Sequence, residues 1–388
     1  MYKIKTLNKI AKCGTDLFDG NFSVEETATP DGILVRSASL HDYDYDANKN
    51  LLAIARAGAG VNNIPLPTCS EKGIVVFNTP GANANAVKEL VLCGLFLGSR
   101  KVVDAINWAQ TLKGKGDEVA KLVEKGKSNF AGPEIAGKTL GVVGLGAIGA
   151  MVATAATHLG MTVYGYDPFI SVDSAWHMSR SVIKAADLKE IYEKCDYITY
   201  HVPLNDETRG YINKDTISLM KDGVRLLNFS RAELANFDDM EKALEDGKVA
   251  AYVTDFPNER VLAMKNVVAI PHLAASTPES EDNCAVMAVK EIKEYLLNGN
   301  IKNSVNFPNV SSERSTGSRI CVIHKNIPNM LKAVSEILGG QSLNIENMTS
   351  KSRGDYAYVI VDLSDTINSD EISEQLYAID GIIKVRVI

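Results

Sequence analysis

Arg231, Glu259 and His272 are the residues best suited to chemistry in this sequence, and each follows a short apolar run of strand type. An imidazole titrates near neutral pH, so His272 could take the proton of a hydroxyl group while a hydride leaves the same carbon atom. Glu259 could hold the tautomer of that imidazole, and Arg231 could bind a substrate carboxylate through two hydrogen bonds. Together these residue types predict the oxidation of a 2-hydroxy acid. Taken alone, each of them is more often a structural residue.

Gly144, Gly146 and Gly149 have the spacing G-x-G-x-x-G, between an apolar run at 140–143 and an alanine-rich helical segment at 150–159. Gly144 permits a tight turn, Gly146 lets the backbone approach a pyrophosphate, and Gly149 lets the helix pack closely on the strand. The N-terminus of that helix would attract the phosphates. A glycine turn that serves packing alone could have the same spacing.

Asp167 ends the next apolar run, which covers 161–166. An acid at this point can accept hydrogen bonds from the adenosine ribose and repels a 2′-phosphate. The pattern therefore predicts that the cofactor is NAD rather than NADP.

The elements around these residues alternate between strand and helix, which predicts α/β domains with parallel, doubly wound sheets. We expect a substrate-binding domain over 1–96 and 279–308 and a dinucleotide-binding domain over 97–278. Long helices over 85–109 and 279–297 should link the two. A linker at 309–318 should then lead to a compact tail over 319–388, whose strand-helix-strand-strand-helix-strand order is that of a ferredoxin-like module.

Composition excludes several classes of function. The chain has 388 residues, 45% of them hydrophobic and 23% charged, and a formal net charge of −7, which argues against binding to nucleic acid or to an anionic membrane. Its N-terminus has no apolar signal segment, so we expect a cytosolic protein. The six cysteines form no C-x-x-C pair, which predicts reduced, mostly buried thiols and no metal site.

The first domain carries cations beside glycine-rich loops. Arg36 closes one predicted strand, and Arg56 opens the loop 57–60 after the next strand. Loops at the carboxyl ends of parallel strands are where open α/β sheets bind ligands. The alternative is that both arginines are solvated surface cations.

The motifs taken together resemble the D-isomer-specific 2-hydroxyacid dehydrogenases over residues 1 to about 305. The motifs that carry the resemblance are Arg36-Ser, Arg56-Ala-Gly-Ala-Gly-Val-Asn-Asn, Gly144-Leu-Gly-Ala-Ile-Gly149, Asp167-Pro, His201-Val-Pro-Leu, Asn228-Phe-Ser-Arg231, Glu259 and Pro271-His272-Leu-Ala-Ala-Ser-Thr. The resemblance implies a Rossmann-type domain, a flavodoxin-like substrate domain, and catalysis by Arg231, Glu259 and His272. It implies cofactor contacts from Gly144, Gly146, Ala147, Ile148, Gly149, Asp167, His201, Val202, Pro203, Thr208, Ser230, Asp255 and His272. It implies substrate contacts from Arg36, Ser37, Arg56, Ala57, Gly58, Ala59, Gly60 and Arg231.

The tail is similar to an ACT regulatory domain. A dehydrogenase of this family with such a tail implies 3-phospho-D-glycerate as substrate, 3-phosphohydroxypyruvate as product and a place at the start of L-serine synthesis. By the same resemblance L-serine is an effector bound by His324, Asn326 and Asn344, and the protein is a homodimer or homotetramer. The alternatives are a tail used only for dimerisation, a glycerate or hydroxypyruvate reductase of the same family, and an NAD-sensing binding protein like the family's co-repressors.

Several positions depart from the family's pattern. Counting back from Glu259 leaves open whether Thr254 or Asp255 is the acid-bearing position at the end of the penultimate strand. Ala232, Ala274 and Ala275 replace glycines near the nicotinamide. In the tail, Asn329 stands where a glycine is expected, which weakens the prediction of an effector site.

Overall fold

The computed structural model describes residues 1–170, 172–315, 317–367 and 369–388. The strands are β1 Tyr2–Thr6, β2 Phe22–Val24, β3 Gly32–Val35, β4 Ala53–Arg56, β5 Val75–Phe77, β6 Thr139–Val143, β7 Thr162–Tyr166, β8 Ile183–Lys184, β9 Tyr197–Tyr200, β10 Val224–Asn228, β11 Val249–Thr254, β12 Val267–Ala269, β13 Arg319–Lys325, β14 Ile345–Arg353, β15 Tyr356–Leu363 and β16 Ile382–Val387. The helices are α1 Lys12–Thr15, α2 Leu66–Glu71, α3 Ala84–Ser99, α4 Val102–Gln110, α5 Val119–Gly126, α6 Ala147–His158, α7 Val172–His177, α8 Leu188–Lys194, α9 Lys214–Leu219, α10 Phe237–Glu245, α11 Glu259–Ala263, α12 Pro278–Asn298, α13 Met330–Gly340 and α14 Ser369–Tyr377.

The chain divides into two compact units, which are described separately. Unit 1 comprises Met1–Asn83 and Pro278–Ile388, and unit 2 comprises Ala84–Thr277. The predicted boundary after residue 96 is therefore wrong. Helix α3 belongs wholly to unit 2, because it packs against α6, β10 and β11. The predicted helix over 85–109 is in fact α3 and α4, of which α3 has a buried face and α4 buries no residue.

The sheet of unit 2 is parallel and has the strand order β12-β11-β10-β9-β6-β7-β8. The order reverses between β6 and β9, which is the point where open α/β sheets bind ligands. The glycine loop follows β6, and His201 follows β9. This topology confirms the predicted Rossmann-type sheet. The two-residue β8 carried no apolar signal and was not predicted.

The main sheet of unit 1 is also parallel and has the order β2-β1-β3-β4-β5. This is the flavodoxin-like order that was predicted. Strands β1 and β2 were missed, because most of their side chains are only partly buried and they lack a continuous apolar run. Helix α12 lies on this sheet and contacts β3, β4 and β5.

The C-terminal module, residues 319–388, has an antiparallel sheet of order β14-β15-β13-β16 with α13 and α14 on one face. The predicted ferredoxin-like order is confirmed. Asn329 precedes α13 with φ +68°, a left-handed conformation that suits glycine and that asparagine also tolerates. The asparagine therefore keeps the backbone that a glycine would adopt there.

The module is not a separate body behind a free linker. The other face of its sheet, including Cys321, Ile323 and Tyr358, lies in one hydrophobic core with Tyr295 and Leu296 of α12. Residues of the predicted linker are held as well, since Val310 forms a β-bridge with Ile301. The division predicted at 309–318 fails because the sheet has two apolar faces, and its own two helices cover only one of them.

Candidate active site and cofactor site

The structure requires glycine at two of the three positions of the phosphate loop, and for different reasons. Gly144 has φ +91°, and a Cβ there would lie 2.6 Å from the carbonyl oxygen of His201. A Cβ on Gly149 would lie 1.9 Å from the carbonyl oxygen of Gly144. A Cβ on Gly146 would meet no atom within 4 Å, so nothing in the protein itself requires glycine at this position. The space beside Gly146, at the start of α6 (Ala147, Ile148), fits the approach of a pyrophosphate.

Asp167 lies directly after β7 and is tied to the same loop. One of its carboxylate oxygens accepts a hydrogen bond from the amide of Leu145 at 2.8 Å, and the other accepts from the amide of Phe169 at 2.8 Å. Each carboxylate oxygen can accept a further hydrogen bond, so the side chain can still bind ribose hydroxyls. Asp167 both shapes the glycine loop and carries the charge that disfavours a 2′-phosphate.

His201 lies on the other side of the switch point. Its Nε2 is 3.0 Å from the hydroxyl of Thr199, and its buried Nδ1 has no hydrogen-bond partner among the described residues. Burial lowers the pKa of His201 to about 4, so the ring is neutral near pH 7 and too weak a base to abstract a proton there. A neutral imidazole with an unpartnered nitrogen suits hydrogen bonding to a cofactor.

The loop after His201 is held by Thr208. Its hydroxyl donates to the carbonyl oxygen of Pro203 at 2.6 Å and accepts from the amide of Asn205 at 2.9 Å. The Thr208 hydroxyl therefore orders this loop, and its predicted cofactor contact stays a prediction. Val202, in the same loop, would lie 3.1 Å from a Cβ on Gly144 and so packs against the glycine turn.

Arg231 is positioned by buried polar groups at the end of β10. Asn228 is fully buried, and its amide donates to the carbonyl oxygen of Arg231 at 2.8 Å and to the hydroxyl of Tyr252 at 3.2 Å. Ser230 donates its hydroxyl to the carbonyl oxygen of Tyr200 at 2.7 Å. Hydrogen bonds thus hold this loop at Ser230 and at the carbonyl group of Arg231, which fixes the backbone that carries the guanidinium group.

Asp255 directly follows β11 and is 0% exposed, yet neither of its carboxylate oxygens has a hydrogen-bond partner among the described residues. Burial raises the pKa of Asp255, while the charges of His272 and Arg231 act in the opposite direction. The ring of His272 lies 4.9 Å from the ring of Phe256. The fold therefore brings Arg231, Asp255 and His272 together. At the end of this strand the hydroxyl of Thr254 accepts a hydrogen bond from the amide of Phe256 at 3.2 Å, whereas the carboxylate of Asp255 is unpartnered among the described residues.

Glu259 is not part of this group in the structure. It is exposed in the first turn of α11 and forms no hydrogen bond or ion pair with any residue that the structure describes. Asn258 caps that helix, because its side-chain oxygen accepts a hydrogen bond from the amide of Val261 at 2.9 Å. The cap fixes the start of the helix at Glu259. Glu259 forms no hydrogen bond or ion pair with His272 in this conformation, and Asp255 is a buried acid whose charge interacts with that of His272. Sequence reasoning had assigned Asp255 to the cofactor alone.

The predicted substrate residues of unit 1 lie at the ends of β3 and β4. The side chain of Asn8 accepts hydrogen bonds from the amides of Arg36, Ser37 and Ala38 at 2.9–3.1 Å, which orders the loop after β3. The guanidinium of Arg36 forms a half-exposed ion pair with Glu281 at 2.7 Å. Asn8 was not singled out from the sequence, because nothing around it marks a cap.

Arg56 lies over the glycine-rich loop that follows it. Its Nε donates to the carbonyl oxygen of Arg36 at 3.0 Å, and a Cβ on Gly58 would lie 2.5 Å from one of its terminal nitrogens. The amides of Ala57 and Gly58 are bonded to Val35 and Arg56. Those of Ala59 and Gly60 donate to no described residue. Of the four predicted anion-binding amides, only those of Ala59 and Gly60 are therefore free to bind an anion, and they lie in the loop beside Arg56 and Arg36.

The three predicted effector residues do not come together within one chain. His324 pairs with Ala357 at one end of the module's sheet, and Asn326 donates to the carbonyl oxygen of Gly354 at the same end. Asn344 precedes Ile345, which pairs with Leu363 at the opposite end. His324 is buried and its Nδ1 lies 2.7 Å from the carbonyl oxygen of Lys325; burial lowers its pKa. The sequence could not show this separation, because it depends on the register of the strands.

Within the described part of the chain, no helix has the length and apolarity needed to span a bilayer. The described residues also contain no group of three or more His, Cys, Asp or Glu side chains that could hold a metal ion. The six cysteines are free, and four of them are buried.

Comparisons with known proteins agree with the fold. The family model of the D-isomer specific 2-hydroxyacid dehydrogenase NAD binding domain matches residues 99–274. A D-3-phosphoglycerate dehydrogenase of Haemophilus influenzae is 32% identical over 341 residues, which are 85% of this chain and 79% of that protein. The chain therefore belongs to the D-isomer-specific 2-hydroxyacid dehydrogenase family, whose cofactor domain binds NAD.

Two further relatives are 3-phosphoglycerate dehydrogenases. A D-3-phosphoglycerate dehydrogenase of Methanocaldococcus jannaschii is 35% identical over 267 residues, and the match covers 67% of this chain but only about half, 48%, of that longer protein. The crystal structure of NAD⁺-bound 3-phosphoglycerate dehydrogenase of Entamoeba histolytica has a TM-score of 0.60 and 26% identity, covering 79% of this chain and 98% of that one. D-mandelate dehydrogenase of Rhodotorula graminis, at 22% identity and a TM-score of 0.66, shows the shared fold alone.

Proposed function

We propose that this chain catalyses the NAD-dependent oxidation of 3-phospho-D-glycerate at C2 to 3-phosphohydroxypyruvate. The observation that carries the proposal is the grouping of Arg231, Asp255 and His272 after successive strands, beside a glycine loop that fits a dinucleotide. The similarity to 3-phosphoglycerate dehydrogenases supports the choice of substrate.

NAD, when bound at the glycine loop and Asp167, would supply the acceptor for the hydride of C2. His272 takes the proton of the C2 hydroxyl, and the carbonyl group of the product forms as both depart. Arg231 binds the substrate carboxylate and stabilises the negative charge that develops on the C2 oxygen. Asp255 provides the negative charge that compensates the imidazolium, and its unpartnered oxygens are also able to accept hydrogen bonds from the cofactor's carboxamide.

The substrate carries more negative charge than a simple 2-hydroxy acid, and unit 1 offers cations and amides to match. We assign the phosphate to Arg36 and Arg56, and we assign the free amides of Ala59 and Gly60 to the carboxylate. A guanidinium group can bind a phosphate through two parallel hydrogen bonds. This role contrasts with the alternative, in which both arginines are solvated surface cations.

The test is NADH formation by the whole chain with 3-phospho-D-glycerate and, separately, with D-glycerate. We expect kcat/KM to be at least about tenfold higher with the phosphorylated substrate, because one charge-assisted contact is worth roughly 1.5–3 kcal/mol. His272→Ala should lower kcat by roughly 10²–10⁴-fold while NAD still binds, as measured by calorimetry. Equal rates with both substrates would instead assign the chain as a glycerate or hydroxypyruvate reductase. No NADH with any 2-hydroxy acid would favour an NAD-sensing binding protein.

L-serine remains part of the proposal only in a form that uses two copies of the chain. Strand β14 is an edge of the module's sheet. An antiparallel contact between two such edges would bring Asn344 of one copy towards the Arg353 end of the other copy, where Asn326 lies. We also propose that the chain forms a homo-oligomer and that it lies in the cytosol. Sedimentation with and without L-serine tests the two-copy serine site, and an effect of L-serine on a strict monomer would contradict that site.

A further inference from the structure

Unit 1 contains a cavity of about 620 Å³ that is lined by none of the residues considered above. One wall is the face of α12 that carries Val286, Met287, Lys290 and Glu291, and another is the segment 300–303 that follows the helix. The cavity therefore has an aliphatic side, a carboxylate and exposed lysines within one compact region.

Glu291 is the unusual group of this cavity. It is only 7% exposed, and one of its carboxylate oxygens accepts a hydrogen bond from the side-chain amide of Asn303 at 2.6 Å. The other carboxylate oxygen is buried and has no hydrogen-bond partner among the described residues. A buried carboxylate oxygen without a donor is unfavourable, so this site favours a ligand that brings a cationic donor.

The remaining charges define the other end of such a ligand. Lys290 and Lys302 both line the cavity and are exposed, so they lie at its mouth. The two oxygens of Glu294 accept hydrogen bonds from Asn298 and Asn300 at 3.0 and 2.7 Å, so among the acids that line the cavity Glu291 is the one with an oxygen that has no described donor. A carboxylate deep in the cavity and two ammonium groups at its mouth match a molecule with the opposite arrangement of charge.

We propose that this cavity binds a free α-amino acid with an apolar side chain. The ligand's ammonium group lies on Glu291, its carboxylate lies between Lys290 and Lys302, and its side chain packs against Val286 and Met287. A simple anion would bring no donor for the unpartnered oxygen of Glu291. A metal ion is disfavoured by the two lysines and by the lack of three acidic or imidazole ligands among the described residues.

Binding at this site should be linked to proton release. Burial raises the pKa of Glu291 to about 8, against the lowering effects of the Asn303 hydrogen bond and of Lys302, and Lys290 and Glu294 are the other charged groups that line the same space. The carboxyl group is therefore mostly protonated at pH 7 and must ionise to pair with an ammonium group. Affinity should rise as the pH rises from 6.5 to about 8, towards the pKa of the ligand's own amine.

The experiment is calorimetry of the whole chain with L-leucine, with 4-methylpentanoate, which lacks the ammonium group, and with 3-methylbutylamine, which lacks the carboxylate. We expect L-leucine to bind best and to release close to one proton at pH 7, read from buffers of different ionisation enthalpy. Glu291→Gln should weaken L-leucine binding at least about tenfold and abolish the proton release. Glu279→Gln, an exposed acid of the same helix outside the cavity, is the matched control and should change neither.

Each contrary result overturns the assignment. Equal binding of 4-methylpentanoate and L-leucine would show that Glu291 does not hold an ammonium group, and binding unchanged by Glu291→Gln would place the ligand elsewhere. No binding of L-leucine at millimolar concentration would reject the site. Circular dichroism of Glu291→Gln checks folding, and Lys302→Gln, at an exposed position, provides a second variant that should weaken binding without a risk to the core.

Discussion

Gly146 is the one glycine of the phosphate loop that packing does not explain. Gly144 and Gly149 are required by a positive φ and by contacts with backbone oxygens, whereas a methyl group on Gly146 would meet only open space. The backbone of Gly146, at φ −68° and ψ −163°, is also open to other residues. The structure thus separates the glycines that build the loop from the glycine that leaves room for the cofactor.

Alanine substitutions should divide these roles. Gly146→Ala should leave the melting temperature unchanged and raise the Kd for NAD by tenfold or more, since the methyl group would occupy the space that a pyrophosphate needs. Gly149→Ala should lower the melting temperature by several degrees, because its Cβ would lie 1.9 Å from a carbonyl oxygen. Thermal melts and calorimetric titration with NAD measure both effects. Normal NAD affinity of a folded Gly146→Ala variant would contradict this division.

Two acids, Asp255 and Glu259, are candidates for the carboxylate that supports His272. The structure favours Asp255, which is buried beside His272 and Arg231, over Glu259, which is exposed and unpartnered among the described residues. The family resemblance favours Glu259.

We expect Asp255→Asn to lower kcat by at least about tenfold, because the imidazolium of His272 would lose the compensating charge of the buried Asp255 carboxylate. Glu259→Gln should have the smaller effect on kcat. The two kcat values are compared under saturating NAD, so that weakened cofactor binding does not enter. A larger loss in Glu259→Gln would mean that α11 moves during catalysis and that the resemblance identified the acid correctly.

Helix α12 is the element that links several features of unit 1. Its first turn carries Glu281, which forms an ion pair with Arg36 at 2.7 Å. Its middle carries Glu291, which lines the 620 Å³ cavity of unit 1. Its last carbonyl groups, of Tyr295 and Leu296, accept hydrogen bonds from Arg386 of the C-terminal module at 3.0 and 2.7 Å. A guanidinium at this end is favourable for the helix dipole as well.

The ion pair at the start of α12 should compete with a substrate phosphate, if Arg36 binds that phosphate as proposed. Glu281→Gln should lower the KM for 3-phospho-D-glycerate by roughly two- to fivefold, because a half-exposed pair contributes at most about 1 kcal/mol. The KM for D-glycerate should not change. Glu279→Gln removes the same charge from the same helix without the pair and serves as the control. A raised KM in Glu281→Gln would show instead that Glu281 holds Arg36 in place.

At the scale of the whole molecule, the C-terminal module is built into unit 1. Arg319 is 0% exposed and donates to both carboxylate oxygens of Asp362, at 2.6 and 3.0 Å. The same guanidinium donates to the carbonyl oxygens of Asn298 and Glu313 at 2.7 and 2.8 Å, so one buried side chain joins the module, the end of α12 and the connecting segment.

Arg319→Met should lower the free energy of unfolding of the chain by about 3–5 kcal/mol, since it leaves Asp362 buried without its partner. Lys332→Met breaks the exposed pair with Glu336 on α13 and should cost less than about 1 kcal/mol. Urea unfolding of both variants gives the comparison. Similar small losses would mean that the module is held by its apolar contacts alone.

The sequence determined most of what depends on local pattern. Apolar runs gave both parallel sheets and the order of the module's elements, and the glycine spacing with Asp167 gave the cofactor. Short strands with partly exposed side chains, such as β1 and β8, had no such pattern and were missed. The division at 309–318 was misjudged for a related reason, because proline, serine and glycine mark a turn-rich segment whether or not neighbouring surfaces hold it.

The tertiary structure decided which side chains meet. It selected Asp255 over Glu259 beside His272, separated Asn344 from Asn326, and buried Glu291 in a cavity that no motif announced. Residue types and spacing report the conformation of a segment and the chemistry it can offer. Distances between segments far apart in the chain depend on strand register, helix starts and the packing of complete apolar faces, which are fixed only when the whole core forms.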